Sequence, residues 1–194
     1  MAPQSQTRRY RQVSQVLARH GLGFFISITG LERFVPFQRV FNRGYEQPLS
    51  RPEYARRALE ELGPTFIKLG QILSTRADLL PPAYQAELAK LQDAARPLKT
   101  QIVTDIIAAE FGRPVDAVFS SFGDVPLASA SIGQVHAATL TDGTRVVVKV
   151  QRPGVVEQID QDLQILRNLA ATASRRWPVA EEYDVVGLVH EFAQ

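Results

Sequence analysis

The sequence predicts an α+β fold in which a helical N-terminal part is packed on a small antiparallel sheet that is followed by a further helix. Three observations predict it. Apolar residues recur at helical spacing between about residues 50 and 111, two runs rich in β-branched residues flank an Asp-Gly pair between 134 and 151, and helical spacing returns after Pro153. With 194 residues, 45% of them hydrophobic, the chain can bury a core in one domain or in one domain with an extension.

The first 49 residues are a basic segment. Residues 1–60 hold ten arginines (8, 9, 11, 19, 33, 39, 43, 51, 56 and 57) against four glutamates (32, 46, 53 and 60). A solvated surface fits this asymmetry, and so does attraction to anionic lipid or another polyanion; aromatic residues are not interleaved with the arginines, which argues against nucleic acid. The apolar stretch from Gly21 to Leu31 is about half the length a bilayer crossing needs, and no small-residue cleavage site closes it. The expectation is a cytoplasmic protein, soluble or peripheral to a membrane, without a transmembrane helix. Having no cysteine and only three scattered histidines (20, 136 and 190), the chain has no disulfide or thiolate site, and any metal would be bound by oxygen.

Ser50-Arg51-Pro52-Glu53 reads as a capping box with proline in the first turn, and Tyr54, Ala58 and Leu62 continue a helix that Gly63 stops. Pro64 opens another, with Phe66, Ile67, Leu69, Gly70 and Leu73 on its apolar side, ending before Pro81-Pro82. Tyr84, Leu88 and Leu91 mark a third. Ile102, Val103, Ile106, Ile107 and Phe111 mark a fourth that Gly112 terminates. From Val125 the character changes to strands. Gln134–Leu140 and Arg145–Gln151 are joined by Thr141-Asp142-Gly143-Thr144, a hairpin signal, and Val147-Val148-Lys149-Val150 reads as a buried strand. Pro153 then opens a helix with Val156, Ile159, Leu163, Leu166 and Leu169 on one stripe.

Chemistry is suggested at two places. Ala128-Ser129-Ala130-Ser131-Ile132-Gly133-Gln134-Val135 has the spacing of the glycine loop G-x-G-x-x-G-x-V, with alanine at the first two glycine positions. Glycines in such a loop let backbone N–H groups approach phosphates; alanines stiffen it and limit that approach. Lys149, in an apolar strand just after the loop and hairpin, has the position of a lysine that holds nucleotide phosphates, the alternative being a strand lysine that reaches out to water. Elsewhere Lys68 and Gln71 share one face of the second helix, with Thr75 four residues beyond Gln71. That face looks either into a site or into solvent.

Taken together these segments resemble the UbiB/ADCK family of atypical kinases. The resemblance rests on Leu62 to Gln71, which carries the KxGQ motif, on Ser74 to Pro81, on the alanine-rich loop from Pro126 to His136, and on Val148 to Gly154; it covers about residues 50 to 170. It implies a basic segment at 1–49, a family-specific helical extension at 50–123 and a partial protein-kinase-like N-lobe at 124–194, the last helix being αC-like. It implies ATP or ADP with Mg²⁺ as cofactor, Ala128, Ser129, Ala130, Ser131, Ile132, Gly133 and Val135 as the loop over the nucleotide, Lys149 as its lysine, and Lys68 and Gln71 as a catalytic gating pair. It also implies a link to ubiquinone or isoprenoid-lipid biosynthesis, with an isoprenoid lipid or quinone precursor as a partner.

Two departures accompany the resemblance: Ser129 stands where many members have alanine, and Asn168 stands where an ordinary kinase has the glutamate that pairs the lysine. No aspartate suited to a catalytic loop or a metal site is identifiable. The chain is therefore expected to be the N-terminal portion of a longer protein, with the metal ligands beyond it, inactive alone and a weak nucleotide binder. A membrane-surface or lipid-binding scaffold is the alternative function, and a purely helical interaction protein a third.

Overall fold

The computed structural model describes residues 3–34, 51–92 and 95–193; Ser50 of the expected capping box and Arg39 and Arg43 lie outside them. In chain order the elements are α1 (Pro3–Arg19), α2 (Gly23–Thr29), a 3₁₀ turn (Leu31–Phe34), α3 (Arg51–Leu62), α4 (Pro64–Ser74), α5 (Pro82–Leu88), α6 (Thr100–Phe111) and α7 (Val115–Val118). The strands β1 (Phe119–Phe122), β2 (Ala128–Ser129), β3 (Gly133–Leu140) and β4 (Arg145–Gln151) follow, and then α8 (Val155–Arg176), α9 (Pro178–Glu182) and α10 (Val185–Phe192). Helices followed by a small antiparallel sheet and a long helix are the predicted α+β class. Among the described residues no helix is long and apolar enough to cross a membrane.

Packing divides the chain into two compact units, Met1–Gln92 with Glu157–Gln194, and Asp93–Val156. This division cuts the chain elsewhere than the motifs do. Buried side chains are the reason: α6 places Val103 and Ile107 in a core with Phe119, Ala138 and Val150, whereas α8 places Ile165, Leu166 and Ala170 in a core with Tyr10, Val13 and Phe66.

In the first unit the buried side of α1 carries Tyr10, Val13 and Val16 at helical spacing, together with one charge, Arg9, which is 8% exposed. All three of its guanidinium nitrogens donate hydrogen bonds. Nε donates to Asp162 Oδ1 (2.7 Å), Nη2 to Asp162 Oδ2 (2.9 Å) and Leu62 O (2.6 Å), and Nη1 to Gln12 Oε1 (2.8 Å). Asp162 is wholly buried. Such a pair is tolerated inside a core because each guanidinium nitrogen has an acceptor and both carboxylate oxygens are satisfied.

That pair corrects the stripe expected on the helix after Pro153, which is α8. The helix begins at Val155, two residues after Pro153, and Val156 is 50% exposed. Its buried side runs through Val155, Asp162, Ile165, Leu166, Ala170 and Ala173, so an aspartate occupies a core position that a purely apolar stripe misses.

In the second unit β3 is the central strand, with β4 on one side and β1 and β2 on the other, all antiparallel. The predicted hairpin forms between β3 and β4, and Asp142 Oδ1 accepts the Thr144 N–H at 2.9 Å. The same Thr144 bond holds the Asp142 carboxyl below the usual carboxylate range. β4 is not the buried strand that its valines suggest. Val146, Val148 and Val150 face the core under α6, while Arg145, Val147, Lys149 and Gln151 are exposed, Val147 at 68%. Only one face of this sheet is covered within the unit, and valine suits a half-covered strand as well as a buried one.

Candidate functional site

The exposed face of the sheet is built by register. Ala128 of β2 stands opposite Val135 of β3, and Val135 stands opposite Lys149 of β4. Directly opposed residues of an antiparallel pair project to the same side, with Cβ atoms about 4.5–5.5 Å apart. The first alanine of the loop, the valine that ends the motif and the lysine therefore form one row across three strands. Ala137 and Val147, also opposed and exposed, extend it by one pair. Lys149 is exposed, contrary to the burial its apolar neighbours suggest, and no ion pair or hydrogen bond ties its ammonium to another described residue. A lysine with a free ammonium beside a small, apolar platform can meet an anion without first breaking an internal contact.

The loop is held on its other side. Ser129, half-buried, stands opposite Gln134, on the face away from Lys149. Ala130 N–H closes the turn onto Gly133 O at 2.8 Å, Ala95 N–H donates to Ser129 O at 3.3 Å, and Leu127 N–H donates to Val135 O at 2.7 Å. Arg152, just beyond β4, donates from Nε to Ala130 O (3.0 Å) and from Nη2 to Ser129 Oγ (3.1 Å) and Arg96 O (2.7 Å).

Glycine survives at 133 for a packing reason. A Cβ there would lie 2.6 Å from Val150 O, a backbone atom that cannot swing aside. Ala128 and Ala130 need no such freedom: among the described residues the only non-glycine with positive φ is Asp184. The loop thus keeps glycine where two strands approach closely and uses alanine where the backbone is ordinary.

Beneath the row, Gln134 and His136 are buried at alternate positions of β3. Gln134 Oε1 accepts from Leu98 N–H at 2.8 Å, Gln134 Nε2 meets His136 Nε2 at 2.7 Å, and His136 Nδ1 meets Gly123 O at 2.7 Å. A carbonyl only accepts, so Nδ1 carries the proton and Nε2 accepts from the glutamine amide. The ring stacks on Phe122 at 5.0 Å between centroids. This chain of bonds ties residues 98, 123, 134 and 136 into one rigid floor, and sequence reasoning missed it. The signal was present: Gln134 and His136 fall two apart, in phase with Ala138 and Leu140, which places them on the inward side.

The KxGQ residues belong to the first unit. Gly70 lets α4 pack closely, since a Cβ would lie 2.4 Å from Leu91 Cδ1 and 2.7 Å from Leu59 Cδ1. Gln71 Nε2 donates to Leu91 O at 3.1 Å, which pins the segment after α5, and Lys68 is exposed. Thr75 caps the end of α4 through its hydroxyl bond to Ile72 O at 2.8 Å. Near them, buried Glu87 accepts from Arg56 Nε at 2.7 Å and from Lys90. The Lys90 bond, and after it the Arg56 bond, hold the Glu87 carboxyl below its usual range.

Comparison with known proteins bears on the family of the chain. The family model described as the ABC1 atypical kinase-like domain matches residues 90–194. A probable protein kinase UbiB of Xylella fastidiosa (strain 9a5c) is 43% identical over 185 residues, covering 93% of this chain and 33% of the relative. Another, of Marinobacter nauticus, is 39% identical over 193 residues, covering 97% of this chain and 35% of the relative. The chain thus spans about a third of the length of these relatives. A solved Mycobacterium tuberculosis structure, Rv3197 with erythromycin, is 36% identical, covers 70% of this chain and 35% of that chain, and aligns with a TM-score of 0.43. With the family model matching more than half of its residues, this chain belongs to the ABC1 atypical kinase-like family, of the UbiB type.

Proposed function

We propose that the second unit supplies the lysine side of an ATP or ADP site. The row Ala128, Val135 and Lys149 carries this reading, because it puts one unpaired ammonium and a small apolar platform on a single exposed face. The ammonium of Lys149 meets the α- and β-phosphates. Val135, Ala137 and Val147 offer apolar surface to the base, and the turn from Ser129 to Gly133 covers the phosphates. Built of alanine and serine, this turn has fewer accessible backbone states than a glycine loop and admits fewer phosphate poses. Mg²⁺ accompanies the nucleotide, with no ligand assigned to this chain. ATP with Mg²⁺ supplies the phosphoryl group that the whole protein, as an atypical kinase or ATPase, transfers or releases to water, in support of ubiquinone or isoprenoid-lipid biosynthesis. Lys68 and Gln71 act as the gating pair in this reading, Lys68 through its exposed ammonium and Gln71 by fixing the chain at Leu91.

Calorimetric titration with ATP and Mg²⁺ tests the proposal. Lys149→Met, at an exposed position, leaves the fold intact and weakens binding about tenfold or more, the scale of one charge-assisted contact. Equal affinity of the variant and the parent chain would refute the role of Lys149.

One observation favours a second reading, a membrane-surface module. Arg8 and Arg11 are exposed one turn apart on α1 while Arg9 between them is buried. In flotation with anionic and with neutral vesicles this reading requires binding to the anionic ones alone, reduced in Arg8→Gln/Arg11→Gln.

A further inference from the structure

Arg152 lies just beyond the end of β4 and joins four separate residues around the small-residue turn. Its side chain bonds Arg96 O, Ser129 Oγ and Ala130 O, and its own N–H donates to Ile132 O at 3.0 Å. Within the turn itself Ala130 N–H donates to Gly133 O at 2.8 Å. Arginine suits the task, since its planar fork offers several donors in fixed directions where lysine offers one point of charge.

We infer that Arg152 is a positioning residue for the nucleotide: it fixes the turn from Ala130 to Ile132 over the Lys149 face, and Ser129 serves it as an acceptor instead of serving the phosphates. The inference rests on the nucleotide reading above. Two features support it. A phosphate has to avoid carbonyl oxygens, and Arg152 engages two of them: its guanidinium sets a cation against the Ala130 carbonyl, and its backbone N–H occupies that of Ile132. The side chain of Ser129 stands on the face away from Lys149, in register with Gln134, so its hydroxyl is directed to Arg152 and not to the row that carries the ammonium.

The test is a ¹⁵N NMR titration of the 194-residue chain with ATP and Mg²⁺, which reads even millimolar affinities, combined with amide exchange at Ala130. The parent chain, Lys149→Met, Arg152→Ala, Arg152→Lys and Ser129→Ala are compared. In Arg152→Ala the expected result is about tenfold weaker nucleotide binding and at least about tenfold faster Ala130 exchange, with the shifts of Gln134 and His136 unmoved. Arg152→Lys, which keeps the charge and loses the fork, restores less than half of the lost affinity on a logarithmic scale. Ser129→Ala speeds Ala130 exchange about threefold and cannot unfold the chain, so it stands in should Arg152→Ala fail to fold. Binding by Arg152→Ala or Ser129→Ala as tight as in the parent, with exchange unchanged, overturns the inference while Lys149→Met still loses binding. No binding by the parent chain overturns the nucleotide reading and this inference with it. A merely structural Arg152 would lower the melting temperature and leave the affinity of the folded protein where it was.

Discussion

Replacing Gly133 by alanine adds one methyl group at the end of the β3–β4 ladder, where Gly133 stands opposite Gln151. Its Cβ would lie 2.6 Å from Val150 O and 3.4 Å from both Val150 C and Gln151 Cα, all backbone atoms. Real Cβ contacts essentially never fall below 3.0 Å, so the strands must part by at least about 0.4 Å at the end of their ladder. Val150 is 4% exposed and sits in the core under α6, which leaves its carbonyl little room to retreat. Overpacking of this kind costs about 1–3 kcal/mol, offset by about 0.4–1 kcal/mol because alanine restricts the unfolded chain more than glycine does. A net loss of about 1–2 kcal/mol follows, concentrated in the second unit. Ala128→Gly is the control: it removes a small exposed side chain at an ordinary backbone conformation and costs about 0.5–1 kcal/mol. The single tryptophan, Trp177, lies in the first unit, so its fluorescence reports on the wrong core. Amide exchange of β3 and β4 in the native state is the suitable assay. Exchange protection in Gly133→Ala within about 0.3 kcal/mol of the parent chain would refute the packing explanation for the surviving glycine.

Three further outcomes follow from the same structure. Asp162→Ala leaves the Arg9 guanidinium buried without its carboxylate and lowers stability by about 3–5 kcal/mol in urea unfolding, whereas the double substitution Arg9→Met/Asp162→Leu recovers most of that loss; a double variant as unstable as the single one contradicts this. Glu87 has a carboxyl held low by Lys90 and Arg56, so its contribution is present above the ordinary carboxylate value of about 4.3 and is lost as pH falls through its lowered value. Urea midpoints of Glu87→Gln measured from pH 7 to pH 3 should accordingly fall less steeply than those of the parent chain. His136→Leu strands the Gln134 amide and the Gly123 carbonyl in the core and costs about 2–4 kcal/mol, read as lost protection of the β3 amides.

The fold class and the hairpin were legible because their signals are local. Asp142-Gly143 between two β-branched runs, and prolines and glycines at the helix ends, act within a few residues of themselves. What the sequence hid depends on partners far away. Arg9 and Asp162 are 153 residues apart, and each alone reads as a surface charge, so the true buried side of α8 was hidden, whereas α1 was legible in the spacing of Tyr10, Val13 and Val16 and was overlooked. The burial of β4 was misread because valine fits either face of a strand, and only the register with β3 separates Val148, which faces the core, from Val147, which does not. At the site, the pairing of Ala128, Val135 and Lys149 follows from the motif order once β2 and β4 are known to flank β3. Arg152 was visible as part of a motif, but its three side-chain acceptors come from residues 96, 129 and 130, and nothing in the spacing of a linear sequence announces that they converge.

The central claim is that the ammonium at position 149 faces a nucleotide's phosphates. An ATP analogue with an acyl phosphate at its terminus acylates whichever lysine amine lies against the phosphate chain, and the sequence offers four lysines: 68, 90, 99 and 149. Mass spectrometry of the labelled chain should find Lys149 modified ahead of the other three, with the label suppressed by excess ATP and Mg²⁺ and reduced in Arg152→Ala. Labelling spread evenly over the exposed lysines, or labelling of Lys149 that ATP does not suppress, would contradict the account.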